Sequence, residues 1–313
     1  MQKGSTVFRQ EIADILQENA LGEGQFAGEK IMPIMPVGAK AGEFAKLSFS
    51  TVKTVAVDDK RASSGNYNEV THEVTTDTYT CLKRGLEEPV DDDDALILGS
   101  YFDAEVSAAD LCRYYLRLNR EARIAAIAFS SSVMASYTAD ASTPWSTIAS
   151  ATPVDDISKA KENILLNING MYGAGAKLVG VGNLTAKRYL LNCTDIKDRH
   201  FSGGNVNRKE MTNDELAAVL GLDEIVFSGL KRGGSDIWDD TKFGIYVTSP
   251  STQLRSTPVF GKTMLWRDST PTDMMVETYR DDSRESDIVK VKHNSVEKLI
   301  TARAGYLLTT VTA

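Results

Sequence analysis

The stretch between residues 107 and 129 constrains the fold of this chain more than any other. Its sequence, SAADLCRYYLRLNREARIAAIAF, repeats small or apolar residues in steps of three and four, which predicts one long helix with an apolar face. That face would consist of Ala108, Leu111, Tyr115, Leu118, Ala122, Ala125 and Phe129. At about 1.5 Å per residue the helix would be about 35 Å long, enough to form the spine of a subunit.

The opposite side of the predicted helix is charged. Arg117 and Glu121 lie one turn apart there and could pair. Ser107 and Asp110 make a candidate N-cap of the capping-box kind. We therefore expect Arg113, Arg117, Arg120 and Glu121 to lie away from the apolar face.

Composition limits the class of protein. A chain of 313 residues with 42% hydrophobic and 25% charged residues is typical of a folded protein, with one elaborate domain or two interleaved ones. Its net charge of −8 argues against a general nucleic-acid binder. No apolar run predicts a membrane span or a signal sequence. Cys81, Cys112 and Cys193 are far apart, which predicts buried, reduced thiols and no zinc site.

The N-terminal part divides into two segments. Residues 5–20 have the pattern of a short helix. IMPIMPV, at 31–37, has Pro33 and Pro36, which favour extended backbone. This segment is predicted to be either an arm that lies on another surface or an edge strand of its own domain.

Two strand-like segments follow, at 44–57 and 71–82, and polar residues 58–68 join them. They predict a long β-hairpin with too few apolar side chains to form a core of its own. Such a projection favours an assembly protein over an enzyme. The side chains predicted to contact a neighbouring subunit at its tip are Asp58, Asp59, Lys60, Arg61, Asn66 and Tyr67.

The acidic run at 91–94 and Trp145 flank the long helix on either side. Four consecutive carboxylates cannot all converge on one ion, so we expect a solvated turn at 91–94 and not a metal site. Trp145 is the one large apolar residue of the polar segment 130–153. It is predicted to anchor this crossover in a pocket between two domains.

The second half of the chain mixes helices and strands. Helices are predicted at 152–170, 184–191 and 212–220, the last with Thr212 and Glu215 as a capping box and Gly221 as its stop. Strands are predicted at 177–181, 225–227, 243–247, 264–266, 274–279, 287–293, 297–301 and 306–311.

Motifs of catalysis are missing from the sequence. The glycine-rich segment 170–183 matches neither a phosphate loop nor a dinucleotide fingerprint. His72, His200 and His293 lie outside any metal or catalytic pattern. We therefore expect a protein that is not an enzyme and has no cofactor and no metal.

Several local patterns and their order resemble the major capsid proteins of tailed bacteriophages with the Hong Kong 97 type fold. IMPIMPVGAKAGEFAKL (31–47) resembles the family's passage from arm to hairpin. YTCLKRGLEEPVDDDDA (79–95) and LRLNREARIAAI (116–127) resemble its hairpin exit and spine helix. TPWSTIASATPVDDISKAKENI (143–164) and LVGVGNLTAKRYLLNCTDIKDRH (178–200) resemble the crossing into its axial domain and the strand and helix that follow.

The resemblance implies an α+β capsid fold with five parts. These are an N-terminal arm (1–40), an extended hairpin loop (41–84), a peripheral domain with the spine helix (85–150), an axial domain (151–272) and closing strands that return to the peripheral domain (273–313). The spine helix would carry the apolar face with Leu111, Tyr115, Leu118, Ala122 and Phe129.

The resemblance also implies a function. Copies of the chain would form pentamers and hexamers that close into an icosahedral shell around double-stranded DNA, without sequence-specific contacts. Because there is no room for a long scaffolding segment before the arm, scaffolding would be a separate protein or a segment that has already been cleaved off. A portal and decoration proteins are the other expected partners. The shell would be assembled in the host cytoplasm and belong to the virion. The alternatives are the shell of a bacterial nanocompartment and, with less support, a soluble α/β enzyme.

Overall fold

Two β-sheets, one long helix and a β-hairpin organise the chain. The computed structural model describes residues 7–8, 23–47, 59–61, 63, 65–67, 74–93, 104–173, 175–202, 211–250, 258–267 and 273–312. The helices are α1 (Gly28–Ile31), α2 (Ala104–Ala128), α3 (Pro153–Asn167), α4 (Leu184–Asn192), α5 (Thr194–Ser202) and α6 (Asn213–Leu220).

The strands come in two groups along the chain. The first half contains β1 (Val7–Phe8), β2 (Ile34–Val37), β3 (Ala41–Leu47), β4 (Val74–Thr80), β5 (Leu82–Asp91) and β6 (Thr138–Asp140). The second half contains β7 (Lys177–Asn183), β8 (Glu224–Ser228), β9 (Lys231–Arg232), β10 (Ser235–Asp236), β11 (Phe243–Thr248), β12 (Gly261–Trp266), β13 (Met275–Asp281), β14 (Ser286–Leu299) and β15 (Gly305–Thr309).

The six-stranded sheet is built around β14, which is 14 residues long. Its order is β1-β13-β14-β12-β2, and β5 pairs antiparallel with β14 as well. Val289 and Val291 of β14 pack with Val276 of β13 under the first half of α2. The five-stranded sheet has the order β6-β15-β11-β7-β8, and β11 at its centre is buried along its whole length.

The long helix α2 joins the two sheets. Ala108, Cys112 and Leu116 in its first half pack on the six-stranded sheet. Ile124 and Ala128 in its second half belong to the core of the five-stranded sheet. The 25-residue helix therefore fixes the position of one sheet against the other, as a spine does.

The hairpin is formed by β3 and β4, which pair antiparallel from Ala41 and Thr80 to Leu47 and Val74. Its base belongs to the subunit, because Phe44 and Tyr79 pack on a small core around Cys81 and Met264. Asp77 of β4 also pairs with Lys298 of β14, at 3.3 Å. The antiparallel pairing of the two predicted arms is confirmed for 44–47 and 74–80, while 48–57 and 71–73 lie outside the described residues. The structure adds that the base of the hairpin is anchored on its own subunit.

The prediction for the N-terminal segments was half wrong. Residues 7–8, predicted as helix, form a strand that pairs with β13, while residues 9–20 lie outside the described part of the chain. In the segment 31–37, β2 is an edge strand parallel to β12, so the second of the two alternatives is correct here. Pro36 is tolerated because an edge strand has one unpaired side.

Most elements of the second half are confirmed, with changes at their limits. The buried stripe of α3 contains Ile157, Ala160 and Ile164, as its periodicity indicates. The capping box of Thr212 and Glu215 is present. The strands predicted at 287–293 and 297–301 are one continuous strand, β14. β5, β6 and α5 were not foreseen.

The predicted domain limits differ from the pairing of the strands. β12, placed with the axial domain, pairs with β14 in the six-stranded sheet. β15 was placed with the closing strands of the peripheral domain, but it pairs with β11 in the five-stranded sheet. β6 pairs with the other side of β15 and belongs to the same sheet. Only β13 and β14 return to the sheet of β5, because the chain crosses between the sheets more than once.

Candidate assembly surfaces

The tip of the hairpin is organised by Arg61. Its Nε donates a hydrogen bond to the carbonyl oxygen of Gly65, at 2.6 Å. Its guanidinium group lies 4.6 Å from the centre of the Tyr67 ring, and that ring is 74% exposed. A stacked arginine and tyrosine held outside the subunit core resemble the residues that dominate protein interfaces.

Of the other predicted tip residues, Asp59, Lys60 and Asn66 are exposed, and Asp58 lies outside the described residues. That the tip contacts a neighbouring subunit stays a prediction.

Arg117, Arg120 and Glu121 of α2 are buried, and their partners come from distant parts of the chain. Arg117 donates to Glu29 at 2.9 Å. Arg120 donates to Glu29 at 3.2 Å and to Asp273 at 2.8 Å. The neighbouring guanidinium of Arg120 outweighs burial and lowers the pKa of Asp273. These ion pairs tie the segment before β2 and the start of β13 to the spine.

Glu121 makes a second buried link. Its carboxylate accepts hydrogen bonds from the backbone N–H of Gly28 at 2.9 Å and from Nε1 of Trp238 at 2.8 Å. Burial raises the pKa of Glu121 to about 7, and the like charge of Glu29 acts in the same direction. A Cβ on Gly28 would lie 2.6 Å from Oε2 of Glu121, so the backbone must approach closely here.

These contacts correct the predicted orientation of the helix. Leu111 and Tyr115 of the predicted buried face are 42% and 48% exposed, whereas Leu118 and Phe129 are buried and Ala122 is half-buried. The predicted pair of Arg117 with Glu121 is wrong, since each has a partner elsewhere.

The limits of the helix also differ from the prediction. It begins at Ala104, so Ser107 and Asp110 lie inside the helix and not at its N-cap. It ends at Ala128, which leaves Phe129 one residue beyond it.

Trp145 is fully buried. Its indole N–H donates to Asp156 at 3.2 Å, and its ring meets the edge of Phe243 at 5.4 Å between centres. Its backbone N–H bonds the carbonyl oxygen of Val311. All three partners belong to the core of the five-stranded sheet or its rim, so Trp145 anchors the crossover inside one domain and not between two.

The acidic run and the cysteines occupy ordinary structural positions. Asp91 is exposed at the end of β5, and Asp92 pairs with Arg280 at 2.5 Å. The three cysteines are free and buried. Burial raises the pKa of Cys193 to about 11, which keeps its thiol protonated and unreactive.

Among the described residues, no group of three or more His, Cys, Asp or Glu side chains is placed to hold a metal ion. No helix in these ranges is both long and apolar enough to cross a membrane.

Comparisons with known proteins place this architecture. No protein-family model and no curated protein sequence matches the chain. Among solved structures, it superimposes on a phage-related protein of Bordetella bronchiseptica RB50 with a TM-score of 0.70 and 19% identity over 98% of both chains. The capsid of cyanophage P-SCSP1u matches with a TM-score of 0.60 and 10% identity, over 100% of this chain and 90% of that one.

The chain has the Hong Kong 97 type capsid fold. The assignment of β3 and β4 to the extended loop of this fold, of α2 to its spine helix, and of the six-stranded and five-stranded sheets to its peripheral and axial domains stays a prediction from the resemblance. A virus-like particle from Pyrococcus furiosus has the same architecture, with a TM-score of 0.52 and 12% identity over 96% of both chains.

Proposed function

We propose that this chain is the major capsid protein of a tailed bacteriophage, a structural protein that assembles with itself into a closed shell. The observation that carries the proposal is the capsid fold along almost the whole chain, shared with the cyanophage capsid. A fold alone does not fix function. The projecting hairpin with its exposed Arg61–Tyr67 stack adds support, because such a surface has no role in the core of a monomer.

The proposed shell consists of pentamers and hexamers with icosahedral symmetry around double-stranded DNA. The net charge of −8 suits this role, because a strongly basic inner wall would hold the phosphates and hinder the entry and exit of DNA. A scaffolding protein, a portal and decoration proteins would complete the particle in the host cytoplasm. The virion is its proposed location.

A nanocompartment shell is the second candidate. The match with a virus-like particle supports it, because that particle has the same fold at similar coverage. Such a shell would enclose protein cargo and not a genome. Catalysis is not part of either proposal.

Electron microscopy of particles from cells that produce the protein tests both candidates. We expect closed shells, with double-stranded DNA that resists added nuclease until the shells are opened with denaturant. Shells that contain protein and no protected DNA would favour the nanocompartment. A soluble protein that forms no shells even with the proteins of its own particle would contradict both.

A further inference from the structure

Among the described residues, the outer side of β5 is the longest open edge of the six-stranded sheet. Within the described part of the chain, β5 pairs only with β14, so the backbone groups along its 10 residues have no partner on the other side. Leu82 and Leu86 are 50% and 36% exposed on this strand. Open edges of this length are templates for pairing with another chain.

An apolar flank of α2 lies beside this edge. It contains Leu111 and Tyr115, both exposed, with Ala122 and Ala126 further along. Helical geometry places these four residues on one side, about 40–100° from Cys112.

This flank faces β5 and not β13. Burial raises the pKa of Cys112 to about 11, and the neighbouring carboxylates of Glu88 and Glu87 on β5 add to the effect. On the opposite flank, Arg120 pairs with Asp273 before β13. The exposed apolar residues of helix and strand therefore form one surface.

The sequence of β5, LKRGLEEPVD, has basic residues before its middle and acidic residues after it. Two such strands that run in opposite directions bring basic residues opposite acidic ones, so the edge is complementary to a second copy of itself. We propose that the β5 edge is a two-fold contact between two copies of this chain, in which Leu86 lies opposite Leu86 of the second copy.

Pro89 limits the possible registers. Proline has no N–H, and an edge strand tolerates it where its nitrogen points to the open side of the sheet. The odd-numbered residues of β5 then present their backbone groups outward. Antiparallel pairing must join odd residues to odd residues. One residue of β5 therefore lies directly opposite its own copy across the two-fold axis.

Among these registers, the one centred on Leu86 gives matching neighbours on the helix side. It places Arg84 opposite Glu88 of the second copy, and Leu82 opposite Val90. A register centred on residue 85 would place Leu82 opposite Glu88, and one centred on residue 87 would place Leu86 opposite Glu88. Both would set an apolar side chain against a carboxylate.

The helices fit the same axis. α2 lies over β5 and β14, and strands are spaced about 4.8 Å apart, so the helix lies about 5 Å from an axis at the β5 edge. The two copies of α2 would then be about 10 Å apart, which is the distance of packed helices.

The helix also runs along the sheet in a direction that suits the axis. Val106 and Val90 both pack against the core under the first half of α2. Arg123 bonds Glu297, two residues beyond Ser295, which pairs with Leu82 at the other end of β5. Tyr115, between these points, therefore lies close to the level of Leu86.

A pair of cysteine variants tests the register. In the Leu86→Cys variant the two new thiols would lie on the axis, with their Cα atoms about 4.5–5.5 Å apart, within the range of a disulfide. In the Leu82→Cys control, the equivalent atoms would be about 27 Å apart. With copper–phenanthroline and oxygen to oxidise the thiols, we expect Leu86→Cys to give a dimer that reductant separates. We expect no such dimer from Leu82→Cys. The three native cysteines are buried and would give little background.

Charge variants test the complementarity. Arg84→Glu gives each copy two acidic residues at the contact, and Glu88→Arg gives two basic ones. Each variant alone should lose the contact. An equimolar mixture of the two should regain it, because the acidic side chains of one variant then face the basic side chains of the other across the axis. Melting curves identify any variant that has not folded, and the cysteine pair then carries the test.

The contact deepens the proposed shell function and rests on it for its biological role, yet the two can fail separately. Shells that form normally while Leu86→Cys gives no more dimer than Leu82→Cys would overturn the contact and leave the shell function intact. A specific Leu86→Cys dimer in a protein that never forms shells would support the contact and remove the shell.

Discussion

Replacement of Glu121 by glutamine should remove a pH dependence from the stability of this protein. The carboxylate is 1% exposed, and the donors around it are the N–H groups of Gly28 and Trp238. The nearby arginines, Arg117 and Arg120, are engaged with Glu29 and Asp273. Ionisation of Glu121 in the folded state is therefore costly, and burial raises its pKa from 4.5 to about 7.

The size of the effect follows from this shift. A pKa raised in the folded state means that the folded protein binds the proton more tightly than the unfolded chain. The stabilisation is complete below pH 4.5 and is lost as the pH rises through 7. The full difference is about 3 kcal/mol, at about 1.4 kcal/mol per unit of pKa. The glutamine variant cannot ionise. Its free energy of unfolding relative to the wild type should therefore increase by this amount as the pH rises from about 4.5 to 8.

The assay is denaturant unfolding of both proteins at a series of pH values, followed by the fluorescence of the tryptophans. Asp273 and Glu297, whose pKa values are lowered, contribute equally to both proteins and cancel in the difference. Glu162→Gln, at an exposed position of α3, is a matched control. A difference between Glu121→Gln and wild type that stays constant with pH would refute the reasoning.

Four further predictions follow from single contacts. Trp145→Ala should lower the free energy of unfolding by about 3–5 kcal/mol in denaturant titrations, since the ring is fully buried; an unchanged midpoint would contradict this. Gly28→Ala should cost about 1–3 kcal/mol because its Cβ would collide with Glu121, whereas Gly38→Ala, with open space around it, should leave the melting temperature unchanged. Replacement of residues 59–66 by Asn-Gly should leave a soluble subunit with a cooperative melt but abolish normal shells in electron micrographs; normal shells would show that the tip is dispensable. Native particles should run as monomers on non-reducing gels, because the three thiols are buried and free; a ladder that collapses with reductant would exclude this.

The sequence predicted those features that depend only on residues close together in the chain. The capping box of α6 needs only residues three positions apart, and Gly221 takes the left-handed conformation that ends this helix. The buried stripe of α3 and the strands around 243–247 and 264–266 follow from short apolar patterns. The order of these elements also supported the resemblance to the capsid fold, because the agreement of many elements along a chain is stronger evidence for a fold than any single motif.

The pairing of distant segments came only from the tertiary structure. The sequence indicates that β12 and β15 are strands, but their sheets depend on partners elsewhere in the chain. The same holds for Val7 and Phe8, which pair with β13 about 270 residues further along the chain. Local periodicity contains no information on such partners, and the predicted limits of the domains were therefore displaced.

The spine helix shows where sequence reasoning ends. Its length and position were predicted. Burial in the subunit was assigned to the predicted apolar face, yet Tyr115 there is exposed, while Arg117, Arg120 and Glu121 are buried. Charged side chains can be buried when opposite charges or hydrogen-bond donors meet them, and here these come from Glu29, Gly28, Trp238 and Asp273. Periodicity along one helix determines which residues share a side, but only the folded chain decides which side is covered.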